Sequence, residues 1–316
     1  MTTRRTLLTA AALAALATPV LLGGCGGDGP AAGDGPVIRH AMGTTQVWRK
    51  TQRVVVLDTP ELETVTALGI TPVGMTLPDA VPTPPAHLRA RLASTQLVGV
   101  TAEPNIEKIA ALRPDLILSN KKRHTRIYDR LARIAPTVFT PDPSTPWKDN
   151  FRLYARALGQ EAKADTLLAE YHARAKRVGA AIAAANGGTP PTVSVVRFVD
   201  GPTRLYQRRS FSGTVLADAG LRRPASQDVD KFTATVGPEK ADQADADYVF
   251  VSTYGDPDKT RRSAFEASPI WKTLGAARNG RVFQVQDEAW MLSIGVQGAH
   301  LVLDDLAKAA KVDPLR

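Results

Sequence analysis

The chain has 316 residues, enough for two lobes rather than one ordinary core, and its 43% hydrophobic and 22% charged residues exclude wholesale disorder. The 40 Lys and Arg against 31 Asp and Glu give a net charge of +9, which favours anionic ligands or an anionic membrane surface. A single cysteine, Cys25, excludes a disulfide framework or a Cys-based zinc site within the chain.

Arg4-Arg5 precede an apolar run over residues 7–22, broken by Thr9, Thr18 and Pro19 and closed by Leu22-Gly23-Gly24-Cys25. A basic start, a short apolar stretch and small residues before a cut site describe an export signal over 1–24 rather than a membrane span. The start resembles a twin-arginine signal, with Leu7 where Phe is usual, so export runs by that or the general secretory route. Leu-Gly-Gly-Cys resembles a bacterial lipobox, in which Cys25 is lipidated and becomes the first residue of a membrane-anchored, extracytoplasmic protein. Residues 25–36, rich in Gly and Pro, form the anchor and a flexible tether. Gly24, Gly26 and Gly29 meet the G-x-G-x-x-G spacing, but no strand precedes them and no helix follows, so no dinucleotide site is expected.

Residues 53–57 (RVVVL) read as a buried strand, followed by a helix around 61–68 that stops at Gly69. Short strands over 72–75 and 97–100, a helix over 105–112, a strand over 116–119, a helix over 128–134 and a strand over 137–139 continue an N-terminal lobe, 37–160. Such alternation indicates a largely parallel sheet covered on both faces. A helix over 147–158 precedes a long one over 161–185, in which Leu167, Tyr171, Ala175, Val178 and Ile182 mark one apolar stripe. At about 1.5 Å per residue, roughly 25 residues span about 37 Å, enough to run across both lobes. The C-terminal lobe, 187–316, alternates again: strand 192–198, helices 212–219 and 238–243, strand 248–252, helix 268–274, strand 281–285 and a closing helix over 295–310. The expected fold is α/β, with two Rossmann-like lobes of mostly parallel sheet joined by one connecting helix, 161–186, a joint that resists bending and keeps opening small.

Catalytic signals are poor. The chain holds neither a G-x-S-x-G elbow nor a phosphate loop, and none of His40, His87, His124, His172 and His300 has a second histidine three to five residues away. No catalytic residue, metal site or cofactor is therefore expected. Lys121-Lys122-Arg123 and Arg208-Arg209 are tight basic runs in a chain whose basic residues are otherwise spread out, and an export signal argues against nucleic acid. In open α/β sheets ligands sit outside the carboxyl ends of strands. Those places hold Asp58-Thr59, Thr76-Leu77 and residues 120–123 in the first lobe, and Arg197-Phe198, Thr253-Tyr254 and the 286–290 loop in the second, with Tyr206 on the same rim. A cationic and aromatic set of this kind suits an anionic, oxygen-rich ligand with apolar arms.

Several stretches, spread over about residues 40–310, carry a resemblance. They are Gly43-Thr44-Thr45 with 53–58, 105–118 (NIEKIAALRPDLIL), 121–124 (KKRH) with 128–137, Arg197 with 210–221 (SFSGTVLADAGL), Pro238-Glu239 with 245–251, and Trp290 with 295–306. In order and spacing they resemble the ferric-siderophore-binding lipoproteins of bacterial ABC importers, class III substrate-binding proteins with a helical hinge. The resemblance implies a monomeric, non-enzymatic receptor that holds a ferric siderophore between its lobes and docks on a permease dimer whose ATPase drives uptake. It implies that Arg197, Lys121 and Arg123 donate to the iron-coordinating oxygens while Tyr206, Trp290 and Tyr254 pack on the organic frame, the iron being held by the siderophore. Glu107 and Glu239 match acidic knobs that meet permease arginines, although helix capping explains glutamates there equally well. KKRH with Arg197 resembles hydroxamate binders more than catecholate, haem or cobalamin binders. The alternatives are the same clamp holding haem, cobalamin or a bare metal ion, and an extracytoplasmic enzyme acting on the chelate.

Overall fold

The computed structural model describes residues 33–315 apart from Pro82 and Thr145, so the export signal, Cys25 and most of the tether lie outside the described residues. An antiparallel hairpin, β1 (Val37–His40) and β2 (Gly43–Gln46), comes first. The N-terminal sheet contains β3 (Val54–Val56), β4 (Gly74–Leu77), β5 (Gln96–Val100), β6 (Glu103–Pro104), β7 (Leu116–Asn120) and β8 (Thr137–Thr140), in the spatial order β6-β5-β4-β3-β7-β8. Only the β5–β6 pairing is antiparallel. Helices α1 (Thr59–Ala67), α2 (Ile106–Ala111), α3 (Lys121–His124), α4 (Tyr128–Ala132) and α5 (Trp147–Ala157) belong to this lobe.

The long helix α6 (Glu161–Ala185) joins it to the second sheet, β9 (Val193–Phe198), β10 (Thr203–Tyr206), β11 (Thr233–Val236), β12 (Tyr248–Thr253) and β13 (Val282–Gln284). Its order is β11-β10-β9-β12-β13. The β9–β12–β13 half is parallel; β9 and β10 form an antiparallel hairpin, and β11 pairs antiparallel with β10 after the excursion through α7. Helices α7 (Phe211–Asp218), α8 (Arg262–Ala267), α9 (Pro269–Thr273), α10 (Gly275–Arg278) and α11 (Val296–Ala310) complete the chain. The strand expected over 72–75 lies two residues later, and the helix expected over 238–243 is a 3₁₀ turn, Pro238–Ala244.

Period-two alternation places the apolar residues on both faces of each sheet. Val54 and Val56 enter the central core, whereas Val55 and Leu57 pack outward with Ile109, Leu131 and Phe139. In the second sheet Val193 and Val195 face the central core, and Val196 and Phe198 face Phe265 and Trp271. That central core is continuous between the lobes, running from β3 and β7 through Phe151, Tyr171, Val178 and Leu216 to Leu303. Along α6 the buried stripe takes Leu168 where the sequence pattern points to Leu167, and it includes Gly179. A Cβ at Gly179 would lie 1.7 Å from the Ala219 carbonyl oxygen, so glycine lets α6 press directly on the end of α7. Polar contacts tie the lobes along the same side. Trp147 Nε1 donates to Thr214 Oγ1 at 2.9 Å, Lys148 Nζ pairs with Asp218 at 2.8 Å, and Thr66 Oγ1 donates to Gln297 Oε1 at 2.9 Å.

Candidate ligand cleft

Opposite that shared core, the carboxyl ends of the parallel strands face one another across a cleft of about 500 Å3. Each wall is built around an arginine with a carboxylate behind it.

In the C-terminal wall, Arg197 near the end of β9 meets Asp287 fork to fork, with Nε donating to Oδ1 at 2.6 Å and Nη2 to Oδ2 at 2.5 Å. Ser252 donates a third bond to the same carboxylate at 3.0 Å. Nη1 of Arg197 donates to the Tyr206 hydroxyl at 3.0 Å, and the Tyr254 ring lies 4.5 Å from the guanidinium carbon. Burial opposes the charge on Arg197, but the bonds and charge of Asp287 outweigh it and hold the pKa above the ordinary value. Three of the five guanidinium N–H groups are engaged, leaving one on Nη1 and one on Nη2.

Because β10 returns antiparallel to β9, Arg204 stands directly opposite Arg197 and also lines the cleft. Its side chain is half-buried and makes no hydrogen bond or ion pair with another described residue. Phe232, edge-on to Tyr206 at 5.6 Å, and Met291, Leu292 and Ile294 supply the apolar lining.

In the N-terminal wall, Arg123 donates from Nε to Asp58 Oδ2 at 3.1 Å while its side chain remains 51% exposed. Asn120 caps α3 by accepting from Arg123 N at 3.1 Å and donates from Nδ2 to Asp58 at 3.3 Å. Behind Asp58 lies Glu61, fully buried. The Tyr154 hydroxyl stands 2.5 Å from Glu61 Oε1 and 2.6 Å from the Ser119 carbonyl oxygen. A phenol has one proton to donate, so it serves Ser119 while a protonated Glu61 donates to it. Burial and the Asp58 charge push the Glu61 carboxyl up to about 7, in keeping with that geometry.

The structure therefore brings Arg197, Arg123, Tyr206 and Tyr254 to one cleft, and it corrects two expectations. Trp290 does not reach the cleft. It has no exposed surface, stacks on Phe250 at 4.6 Å and donates Nε1 to Asp305 at 2.8 Å, so it lies in the core beneath Met291 and Leu292. Lys121 does not line the cleft either. Residues 121–124 form a helical turn that leaves Arg123 at the border of the cleft and turns Lys121 away from it, so that Lys121 opens only onto a trough that Arg123 also borders.

Arg204 and Asp287 are the residues that sequence reasoning passed over. Asp200-Gly201 between β9 and β10 is a hairpin signal that pairs 197 with 204, and Asp287 lies within the 286–290 loop placed at the rim. Glu107 is 81% exposed in the first turn of α2, and Glu239 is exposed in the first turn of the 3₁₀ segment. Among the described residues, no group of three or more His, Cys, Asp or Glu stands close enough to hold a metal ion.

Comparisons with known proteins agree with this architecture. A family model described as periplasmic binding protein matches residues 54–289. The chain is 37% identical to the probable siderophore-binding lipoprotein YfiY of Bacillus subtilis, over 85% of this chain and 86% of that one. It is 31% identical to the achromobactin-binding periplasmic protein of Dickeya dadantii, over 83% of this chain and 87% of that one. Among solved structures, Staphylococcus aureus SirA complexed with staphyloferrin B superposes with a TM-score of 0.79 at 31% identity, covering 88% of this chain and 99% of SirA. Two lobes, a joining helix, a ligand-sized cleft at the strand ends and these matches together establish that the chain belongs to the periplasmic binding protein family, whose members bind substrates without transforming them.

Proposed function

We propose that this protein captures a ferric siderophore between its lobes and delivers it to an ABC permease for iron uptake. The observation that carries the reading is the cleft itself, in which Arg123, Arg197 and Arg204 converge from two lobes on a space bordered by Tyr206, Tyr254 and Phe232. Guanidinium groups donate to the metal-bound oxygens of a chelate, which remain acceptors after coordination, and rings and aliphatic groups cover its organic arms. The siderophore-related names of the relatives support the same class of ligand. Iron enters as cargo inside the chelate. Export, lipidation at Cys25, monomeric action and docking of exposed Glu107 and Glu239 on the permease belong to the same proposal.

For the chelate, the KKRH and Arg197 resemblance favours hydroxamates. A specific observation favours a second reading, a chelate with net negative charge such as a carboxylate or catecholate type. Arg204 faces Arg197 across the hairpin with no carboxylate of its own, and two facing cations are stabilised by an anion between them. Titration of the purified protein with ferric hydroxamate, citrate and catecholate complexes, followed by tryptophan quenching and calorimetry, tests both. Saturable binding without chemical change of the ligand is expected, and failure of every ferric chelate to bind overturns the proposal.

A further inference from the structure

Lys121 leads to a second concavity of about 890 Å3 on the outer face of the N-terminal lobe. Its cationic lining comprises Lys108, Lys121, Lys122, Arg123, Arg126 and Arg130, against the carboxylates of Glu103 and Glu107. Some of this charge is compensated: Lys122 pairs with Asp142 at 2.7 Å, Arg123 with Asp58, and Arg130 with Glu107 at 3.8 Å. The side chains of Lys108, Lys121 and Arg126 have no hydrogen bond or ion pair with another described residue. His124 adds no charge, because burial lowers its pKa and its ring nitrogens bond Ser119 Oγ and the Thr101 carbonyl oxygen.

The trough and the cleft are contiguous. Lys122 and Arg123 border both, so the unpaired cations of the trough stand next to the rim of the cleft, where Arg197 and Arg204 lie among the carboxylates of Asp58, Asp79 and Asp200. Exposed cations hold an anion weakly in water, but their summed field reaches about 8–10 Å at physiological salt and raises the rate of productive encounter.

We infer that this trough is the electrostatic approach path by which an anionic ferric chelate is drawn into the cleft. The inference deepens the receptor reading and rests on it. Lys121, Lys108 and Arg126 then act on arrival and not on retention, since none of them borders the cleft.

The test is stopped-flow association of the full-length protein with ferric citrate and a ferric tris-catecholate as anionic probes, and the cationic ferric complex of desferrioxamine as the opposite probe. In the triple variant Lys108→Gln, Lys121→Gln, Arg126→Gln, association of the anionic probes is expected to slow by about 3- to 10-fold at low salt, with a flatter dependence on ionic strength. Dissociation rates and the melting temperature stay as in the parent, and the cationic probe is not slowed. Lys121→Glu with Arg126→Glu slows the anionic probes further. Unchanged association rates, or an effect confined to dissociation, overturn the inference while leaving the receptor intact. Absence of binding by the parent protein to all three probes removes the receptor reading and the approach path together.

Discussion

The two walls of the cleft use the same pair of groups to different ends. In the C-terminal wall the Arg197–Asp287 pair is about 9% exposed on each side and is braced by Ser252, Tyr206 and Tyr254. In the N-terminal wall Arg123 leans on Asp58 through one bond and is half in solvent. A buried, bidentate pair has one geometry, so the first wall presents fixed donors, whereas the second is free to swing onto whatever arrives. One wall is prepared and the other adapts.

The largest way to break this contrast is to remove the carboxylates. Asp287→Ala strands a buried guanidinium and is expected to cost about 3–5 kcal/mol of folding stability, while Asp58→Ala releases an arginine already in water and costs less, on the order of the 1–2 kcal/mol of the α1 cap that Asp58 also supplies. Urea denaturation of the two variants decides it, and equal losses would mean that the walls are alike. Removing both Arg197 and Asp287 is expected to cost less than removing Asp287 alone, because no orphaned charge remains.

A smaller effect isolates the cation that has no counter-ion. Arg204→Ala is expected to weaken binding of an anionic ferric chelate by about 1.5–3 kcal/mol, the range for hydrogen bonds to charged groups. Folding stability should be unchanged or slightly higher, since a like charge opposite Arg197 has gone. Affinity within twofold of the parent in calorimetry would remove Arg204 from the site.

The third effect depends on pH and sharpens the account of the N-terminal wall. The Glu61 carboxyl, ordinarily at 4.5, is raised to about 7 by burial and the Asp58 charge, so the native state holds its proton more tightly than the unfolded chain. Its contribution is fully present below about 4.5 and is lost as the pH rises through about 7. Glu61→Gln is therefore expected to gain stability relative to the parent steadily between pH 5 and pH 8, measured by denaturation at each pH. A difference that does not change with pH would mean that Glu61 is ionised in the fold.

Much of this was legible in the residue order. The span 161–185 carried its helical period to both ends, and the placement of ligands at strand carboxyl ends located Arg197, Arg123 and Tyr254. Arg204 was hidden because that rule follows parallel strands, and β10 reaches the cleft by turning back. Lys121 misled because a loop presents successive residues together, while a capped turn of helix separates them. Trp290 misled for a tertiary reason: the π-helical turn Glu288–Leu292 and the Phe250 ring bury the indole while its neighbours Met291 and Leu292 face the cleft, and local pattern carries no signal of that.

The apolar continuum beneath both lobes has a consequence for the molecule as a whole. Neither half is a freestanding module: severed at α6, each would offer to water the greasy surface now sealed against its counterpart, a recipe for self-association. Melting is accordingly expected to be a one-step event, in which an occupant seated in the slot on one side of the molecule lends its free energy of binding to every residue, including those farthest from it.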